Sequence, residues 1–210
     1  MIYLIITTSI HNKVGKQDHQ TRREQYLLAI SETLKHLPKE ITPIIVENNG
    51  QQETYLDYFH HFSTPVKVIY TQNNVETYKN KGVNELLDIK EVIQHMCIQD
   101  TDMIIKLTGR YRVTSSVFFD DVIKNKDQVD AFVKFFNADT MEYCPSDCVL
   151  GLYALRTVFF KMLHPLSFNH DTSPESKFAK YVRFSTLRLK EMTHLGVECI
   201  FANDFRVVEV

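Results

Sequence analysis

This 210-residue chain has little glycine, six residues in all and none between Ile2 and Val14. That excludes a glycine-rich loop cradling phosphate directly after the first apolar run. It also has no basic excess. With 24 Lys and Arg against 26 Asp and Glu, it does not read as a general nucleic-acid binder. No stretch approaches the roughly 18 consecutive apolar residues of a membrane span. The opening Met1-Ile-Tyr-Leu-Ile-Ile6 lacks a basic leader and stops at Thr7-Thr8-Ser9, so a first strand is expected there rather than an export signal. Of the cysteines, Cys144 and Cys148 lie close in sequence, but Cys97 and Cys199 form no second pair to complete a zinc set. Reduced thiols in a cytoplasmic protein are the expectation. Repeats, low-complexity tracts and Gly/Ser linkers are missing as well, which leaves no boundary for a second independent domain.

What the chain does contain is an alternation of short apolar runs and helical periodicity. Strands are expected at Ile2–Thr7, Ile41–Glu47, Val66–Tyr70 and Met103–Leu107. Helices are expected at Arg22–Leu37, Glu53–Phe62 and Gly82–Met96. This order implies an α/β domain with a central, mostly parallel mixed sheet flanked by helices. Beyond residue 113 the rhythm breaks. Strands are expected at Gln128–Asn137, Cys148–Leu155, Glu198–Phe201 and Phe205–Val210, a helix at Thr157–Leu163, a loop at Pro165–Pro174 and a long helix at Glu175–Met192. The reading is a single domain, 1–210, with a Rossmann-like nucleotide-binding half (1–113) and a substrate-shaping half (114–210).

In such sheets ligands gather at the carboxyl ends of the strands, so the residues there are the candidates. Thr7, Thr8 and Ser9 end the first strand; they either contact a nucleobase or only stop the strand. Glu47 and Asn48 end the second; they either read a base edge or ribose, or serve the turn at Asn49-Gly50. Lys79, Asn80 and Lys81 precede a helix, whose amino end favours an anion such as a diphosphate, although a solvated helix start reads the same way. The fourth strand delivers Lys106, Thr108, Gly109, Arg110 and Tyr111, a set suited to phosphates. Asp100 and Asp102 admit two readings: ligands of a hard divalent cation, or a polar loop at the amino edge, since they come before the strand. In the second half, Asp139 and Asp147 lie on either side of a loop, and Asp171 and Glu175 bracket the turn into the long helix, where Glu175 acts either as a general base on a substrate hydroxyl or as a helix-end partner.

Taken in order, the Ile5-Ile-Thr-Thr-Ser9 opening, the Glu47-Asn48 tip, the Asn80-Lys-Gly82 helix entry and Lys106-Leu-Thr-Gly-Arg-Tyr111 resemble the GT-A fold of nucleotide-sugar glycosyltransferases. Gly151-Leu-Tyr-Ala-Leu-Arg156 with Phe159 is similar to the segment closing the acceptor side of those enzymes. In size and pattern the chain is especially similar to the small glycosyltransferase domain of chlorella viruses, so the resemblance extends to viral protein glycosylation. It implies a UDP-sugar donor such as UDP-glucose, a glycan or glycoprotein acceptor, and Mn²⁺ (or Mg²⁺) held by an Asp-x-Asp motif just after the fourth strand. This sequence has Thr108-Gly-Arg110 at that place, and Asp100 and Asp102 form its only Asp-x-Asp. The resemblance casts Thr7, Thr8, Ser9, Glu47, Asn48, Lys79, Asn80, Lys106, Thr108 and Arg110 as donor-binding, Asp100 and Asp102 as metal ligands, and Glu175 or Asp147 as the group that orients or deprotonates the acceptor.

Overall fold

Leu4 and Ile6 of strand β1 (Ile2–Thr8) join one apolar cluster, and Tyr3 and Ile5 join another. The strand is buried on both faces because both faces of its sheet are covered. That is why it reads as a continuous apolar run rather than an alternating one. The structure, a computed structural model, describes residues 1–11, 18–50, 54–74, 81–165, 173–200 and 206–210.

Helix α1 (His19–His36) starts at Asp18, whose carboxylate accepts from Thr21 N at 2.8 Å. Strand β2 (Ile41–Glu47), a 3-10 turn (Thr54–Leu56), the hairpin β3 (His60–His61) and β4 (Thr64–Pro65), and strand β5 (Lys67–Tyr70) follow. Then come α2 (Lys81–His95), β6 (Met103–Thr108), β7 (Arg112–Val113), α3 (Val117–Asn125) and β8 (Ala131–Val133). The chain finishes with β9 (Leu152–Arg156), α4 (Thr157–Met162), α5 (Pro174–Phe184), β10 (Leu189–Glu191), β11 (Val197–Ile200) and β12 (Val207–Glu209).

The expected α/β architecture is present. One seven-stranded sheet runs β10-β8-β9-β6-β1-β2-β5 and draws strands from both halves of the chain. All its pairings are parallel except those of β9, which runs antiparallel to both β6 and β8. Helices α1 and α3 cover one face through Tyr26, Ile30, Phe118, Phe119 and Val122. Helices α2 and α5 cover the other through Val83, Leu86, Ile89, Val92, Phe178 and Val182. Each such fully buried side chain contributes about 1.5–3 kcal/mol.

Several boundaries differ from expectation for tertiary reasons. The helix expected over Glu53–Phe62 is, in its described part, a 3-10 turn and a hairpin. Tyr55 and Leu56 are buried there, but Tyr58 and Phe62 face solvent, so the aromatics do not form one helical stripe. The helix expected to reach Met192 ends at Phe184. Arg188 is held instead by Asp130, through Nε at 2.9 Å and the backbone N–H at 3.0 Å, and Leu189–Glu191 then pairs with β8. Pairing partners far away in sequence override a local helical pattern that no Gly or Pro interrupts. Helix α3 was not expected; its signal is the apolar spacing of Phe118, Phe119 and Val122. The expected strand at Gln128–Asn137 narrows to Ala131–Val133. The four cysteines are all free thiols. No helix among the described residues is long and apolar enough to cross a membrane.

Candidate functional site

Register brings the strand tips together. Thr8 lies beside Glu47 and Thr7 beside Thr108, so β1, β2 and β6 end at one edge of the sheet. Gly109 then turns back on the first strand, its N–H donating to Thr7 O at 2.9 Å. A Cβ at Gly109 would stand 2.9 Å from both Thr7 O and Thr8 Cγ2, so the glycine serves close packing of two strand tips. Antiparallel β9 enters from the second half, and Gly151 O accepts from Thr108 N at 2.8 Å. The ring of Tyr111 packs against Gly151, where an added Cβ would meet Tyr111 Cε2 at 1.7 Å.

Glu47 is fully buried and braces this edge. Its carboxylate accepts from the Thr8 hydroxyl at 2.7 Å, from Ile10 N at 3.2 Å, from the Tyr55 hydroxyl at 3.4 Å and from the Asn49 amide. Burial pushes its pKa up, against the pull of those donors. Its oxygens are committed to holding the loops after β1 and β2 in place. Asp88, two helical turns into α2, plays a parallel part. It accepts from Thr71 Oγ1 at 2.5 Å, Asn73 Nδ2 at 3.0 Å and Asn48 Nδ2 at 3.1 Å, and burial raises its pKa to about 7.

The cavity at this edge is lined by Thr7, Thr8, Ser9, Asn48, Lys81, Thr108 and Arg110, which were expected there, and by Arg22, Tyr26, Asn74, Asn84 and Glu85. Arg22 is buried, and its guanidinium is fixed from behind. Nε and Nη2 donate to Ser9 O at 3.1 and 2.7 Å, and Nη2 also reaches the Tyr26 hydroxyl at 2.8 Å. Its Nη1 is buried with no hydrogen-bond partner, as is Arg110 Nε. Lys81 opens α2 beside them. Partial desolvation, then the charges of Arg110 and Arg22, lower its pKa to about 8, and Glu85 alone pulls the other way. Cations crowd together here without a matching set of counterions among the described residues. Asn48 Oδ1 and Asn84 Oδ1 are buried acceptors lacking donors. An open cleft of about 530 Å³ adjoins the cavity, sharing Asn48 and Asn74 with it and adding His11, His19, Asn49, Gly50 and Gln72. Cationic walls at one end and amides at the other suit a ligand with phosphates and a hydrogen-bonding ring system.

Lys106 does not face that cavity as a free cation. Its buried ammonium donates to Thr108 Oγ1 at 2.6 Å and Leu150 O at 2.9 Å, and pairs with Glu85 at 2.6 Å. Every N–H it has is engaged. Glu85 lines both the cationic cavity and a smaller one that Lys106, Leu150, Tyr153, Pro174 and Phe178 also line. Glu175 is close enough for Lys106, Glu85 and Asp147 to act on its charge. Burial raises its pKa first, Asp147 adds to that, and Lys106 opposes. Asp147 is also raised by burial, and it accepts from Asn137 Nδ2 and Cys148 N at 2.9 Å each.

Asp100 and Asp102 are not brought to this edge. They precede β6, one strand length away at the opposite edge, roughly 15–20 Å distant at 3.3 Å per residue. Asp102 takes the Met1 ammonium and accepts from Gln99 N at 3.0 Å; Asp100 pairs with Lys161. An open groove of about 710 Å³ beside Asp100 and Lys161 lies at that far edge, away from the strand tips. No group of His, Cys, Asp or Glu among the described residues is arranged to hold a metal. The acidic pair therefore does not fit the metal that the family resemblance implies, because both carboxylates are already paired and lie a strand length from the strand tips. Lys79, Asn80 and Asp171 lie outside the described residues.

Sequence reasoning found the strand tips and missed what the helices add. Arg22 and Tyr26 stand one turn apart on α1, a spacing that reads only as a helix face until the Ser9 carbonyl is placed behind them. Asn84, Glu85 and Asp88 follow Lys81 on α2, and their one signal was polar residues within a helix otherwise buried by Val83, Leu86 and Ile89.

No family model matches this sequence, and no curated protein matches it either. Solved structures do match in fold. A protein from Desulfovibrio desulfuricans described as a nucleotide-diphospho-sugar transferase superposes with TM-score 0.59 at 10% identity, over 91% of this chain and 79% of that one. The 4-diphosphocytidyl-2C-methyl-D-erythritol synthase of Anaerococcus prevotii gives 0.54 at 13% identity, over 91% and 87%. The galactosyltransferase LgtC, solved with donor and acceptor sugar analogues, gives 0.52 at 8% identity, over 86% and 70%. At these identities the likeness is one of fold.

Proposed function

We propose that this protein is a glycosyltransferase that moves a sugar from a nucleotide-diphosphate sugar, UDP-linked, to a hydroxyl of a glycan or glycoprotein. The observation that carries this reading is the cluster of Arg22, Lys81 and Arg110 around one cavity at the carboxyl edge of the sheet, with buried guanidinium N–H groups left unpaired. Leaving such donors buried and unpaired costs about 1–3 kcal/mol each, a cost that a bound phosphate removes. The amide-lined cleft next to it takes the nucleoside.

In the reaction, the bond between the anomeric carbon and the β-phosphate oxygen breaks, and its electron pair leaves with the diphosphate. The acceptor hydroxyl oxygen forms the new bond to that carbon. Its proton passes to the Glu175 carboxylate and from there to solvent. Arg22, Lys81 and Arg110 stabilise the charge that develops on the leaving diphosphate, as preorganised donors do for other developing anions. Burial of Glu175 raises its proton affinity toward that needed of a base, and Asp147 adds to this effect without touching the acceptor.

Incubation with a panel of UDP-sugars tests the reading, with UDP release as the measurement. Glu175→Gln should lower turnover by about 10²–10⁴-fold, the usual contribution of a general base, and leave UDP affinity unchanged. Binding of UDP-sugars with no turnover under any condition would instead leave a binding module. Pyrophosphate made from a nucleoside triphosphate and a sugar phosphate would point to the chemistry of a nucleotidyltransferase, a class that shares the fold but that the glycine-free segment after β1 does not favour.

A further inference from the structure

The carboxylates nearest the cationic cavity are already committed. Glu47 is saturated by its donors, Glu85 is paired with Lys106, and Asp88 is engaged by Thr71, Asn73 and Asn48. A hard divalent cation needs several oxygen ligands, and the described residues offer no free set of them here. The same cavity holds Arg22, fixed by Ser9 O and Tyr26 so that Nη1 remains unpaired, together with Arg110 and Lys81. Those positive charges would repel a dication and attract the diphosphate directly.

Building on the donor assignment above, we propose that the nucleoside diphosphate is held and neutralised by Arg22, Lys81 and Arg110 themselves, with no divalent cation between protein and phosphates. Two arrangements of charge are open to such a site. A bridging metal lets carboxylates bind a polyanion; guanidinium and ammonium groups do it alone, and the guanidinium fork matches phosphate oxygens in geometry. Among the described residues this cavity has the second set of groups and no free members of the first.

Titration of the full chain with UDP by calorimetry, in EDTA and then with Mn²⁺ or Mg²⁺, separates the two. The expected result is a dissociation constant in EDTA within about threefold of that with metal. Arg110→Gln should weaken binding about tenfold or more in both buffers, as expected for losing a hydrogen bond to a charged group. Lys81→Met, at an exposed position, supplies the same comparison should the arginine variant fold poorly. A tenfold or greater gain in UDP affinity on adding metal would overturn the proposal while leaving the donor assignment standing. No UDP binding in either buffer would defeat the donor assignment itself, and this proposal with it.

Discussion

Replacing Lys81 by Met asks whether the positive charge at the start of α2 exists for a ligand. In the free protein that charge is unfavourable. It sits at the amino end of a helix, where the macrodipole disfavours cations. Partial desolvation and the neighbouring Arg110 and Arg22 hold its pKa down to about 8, with Glu85 alone opposing. Removing the charge should leave the fold as stable as before or raise its stability by about 0.3–1 kcal/mol, the usual helix-end contribution. UDP affinity should move the other way. A hydrogen bond to a charged group contributes about 1.5–3 kcal/mol, so the dissociation constant should rise about 10- to 150-fold. The pH dependence supplies a further signature. A bound diphosphate raises the lysine's pKa above its free value of about 8, so the complex holds more protons, and wild-type affinity should fall as pH rises beyond 8. Lys81→Met removes the titrating group and should lose that slope. The stability of the wild-type protein, conversely, should rise with pH from about 8 to about 10.4, where the unfolded lysine binds more protons than the folded one. Calorimetry and thermal denaturation at about pH 7 and 9 read all of this. A variant with lowered Tm and UDP affinity within twofold of wild type would refute the reasoning, since it would make Lys81 a structural residue.

Asp102→Ala should cost about 1.5–3 kcal/mol in urea denaturation, through the lost bonds to the Met1 ammonium and Gln99 N. UDP affinity should be unaffected, and loss of binding by the folded variant would return the acidic pair to the site. Gly151→Ala forces a methyl into the Tyr111 ring and should destabilise by about 1–3 kcal/mol through overpacking. That cost should shrink in a Tyr111→Ala background, and its persistence there would show that the contact is not the cause. Asp88 has its pKa raised to about 7 by burial. The stability it contributes is therefore full below about pH 3.9, the unfolded value, and is lost as pH rises through the folded one. Asp88→Asn should flatten the fall of Tm over that interval, and an unchanged slope would assign it to another group.

The sequence by itself determined the central strands and the residues at their tips. Both signals are local: a continuous apolar run marks a strand covered on both faces, and the polar residue that ends it marks the tip. Ile2–Thr8, Ile41–Glu47 and Met103–Thr108 are found this way, and with them Thr7, Thr8, Glu47, Asn48, Thr108 and Arg110. The same local logic places Asp100 and Asp102 before their strand, at the opposite edge. Tertiary structure alone decided how those tips are completed. Strand alternation sends Lys106 and Thr108 to the same side, but only the turn leading into β9 supplies the Leu150 carbonyl and only α2 the Glu85 carboxylate that use up the lysine. Arg22 becomes a fixed cation because Ser9 O stands behind it, thirteen residues away in the chain. Polar contacts of that kind depend on distances between elements, and a periodicity within one element carries no information about them.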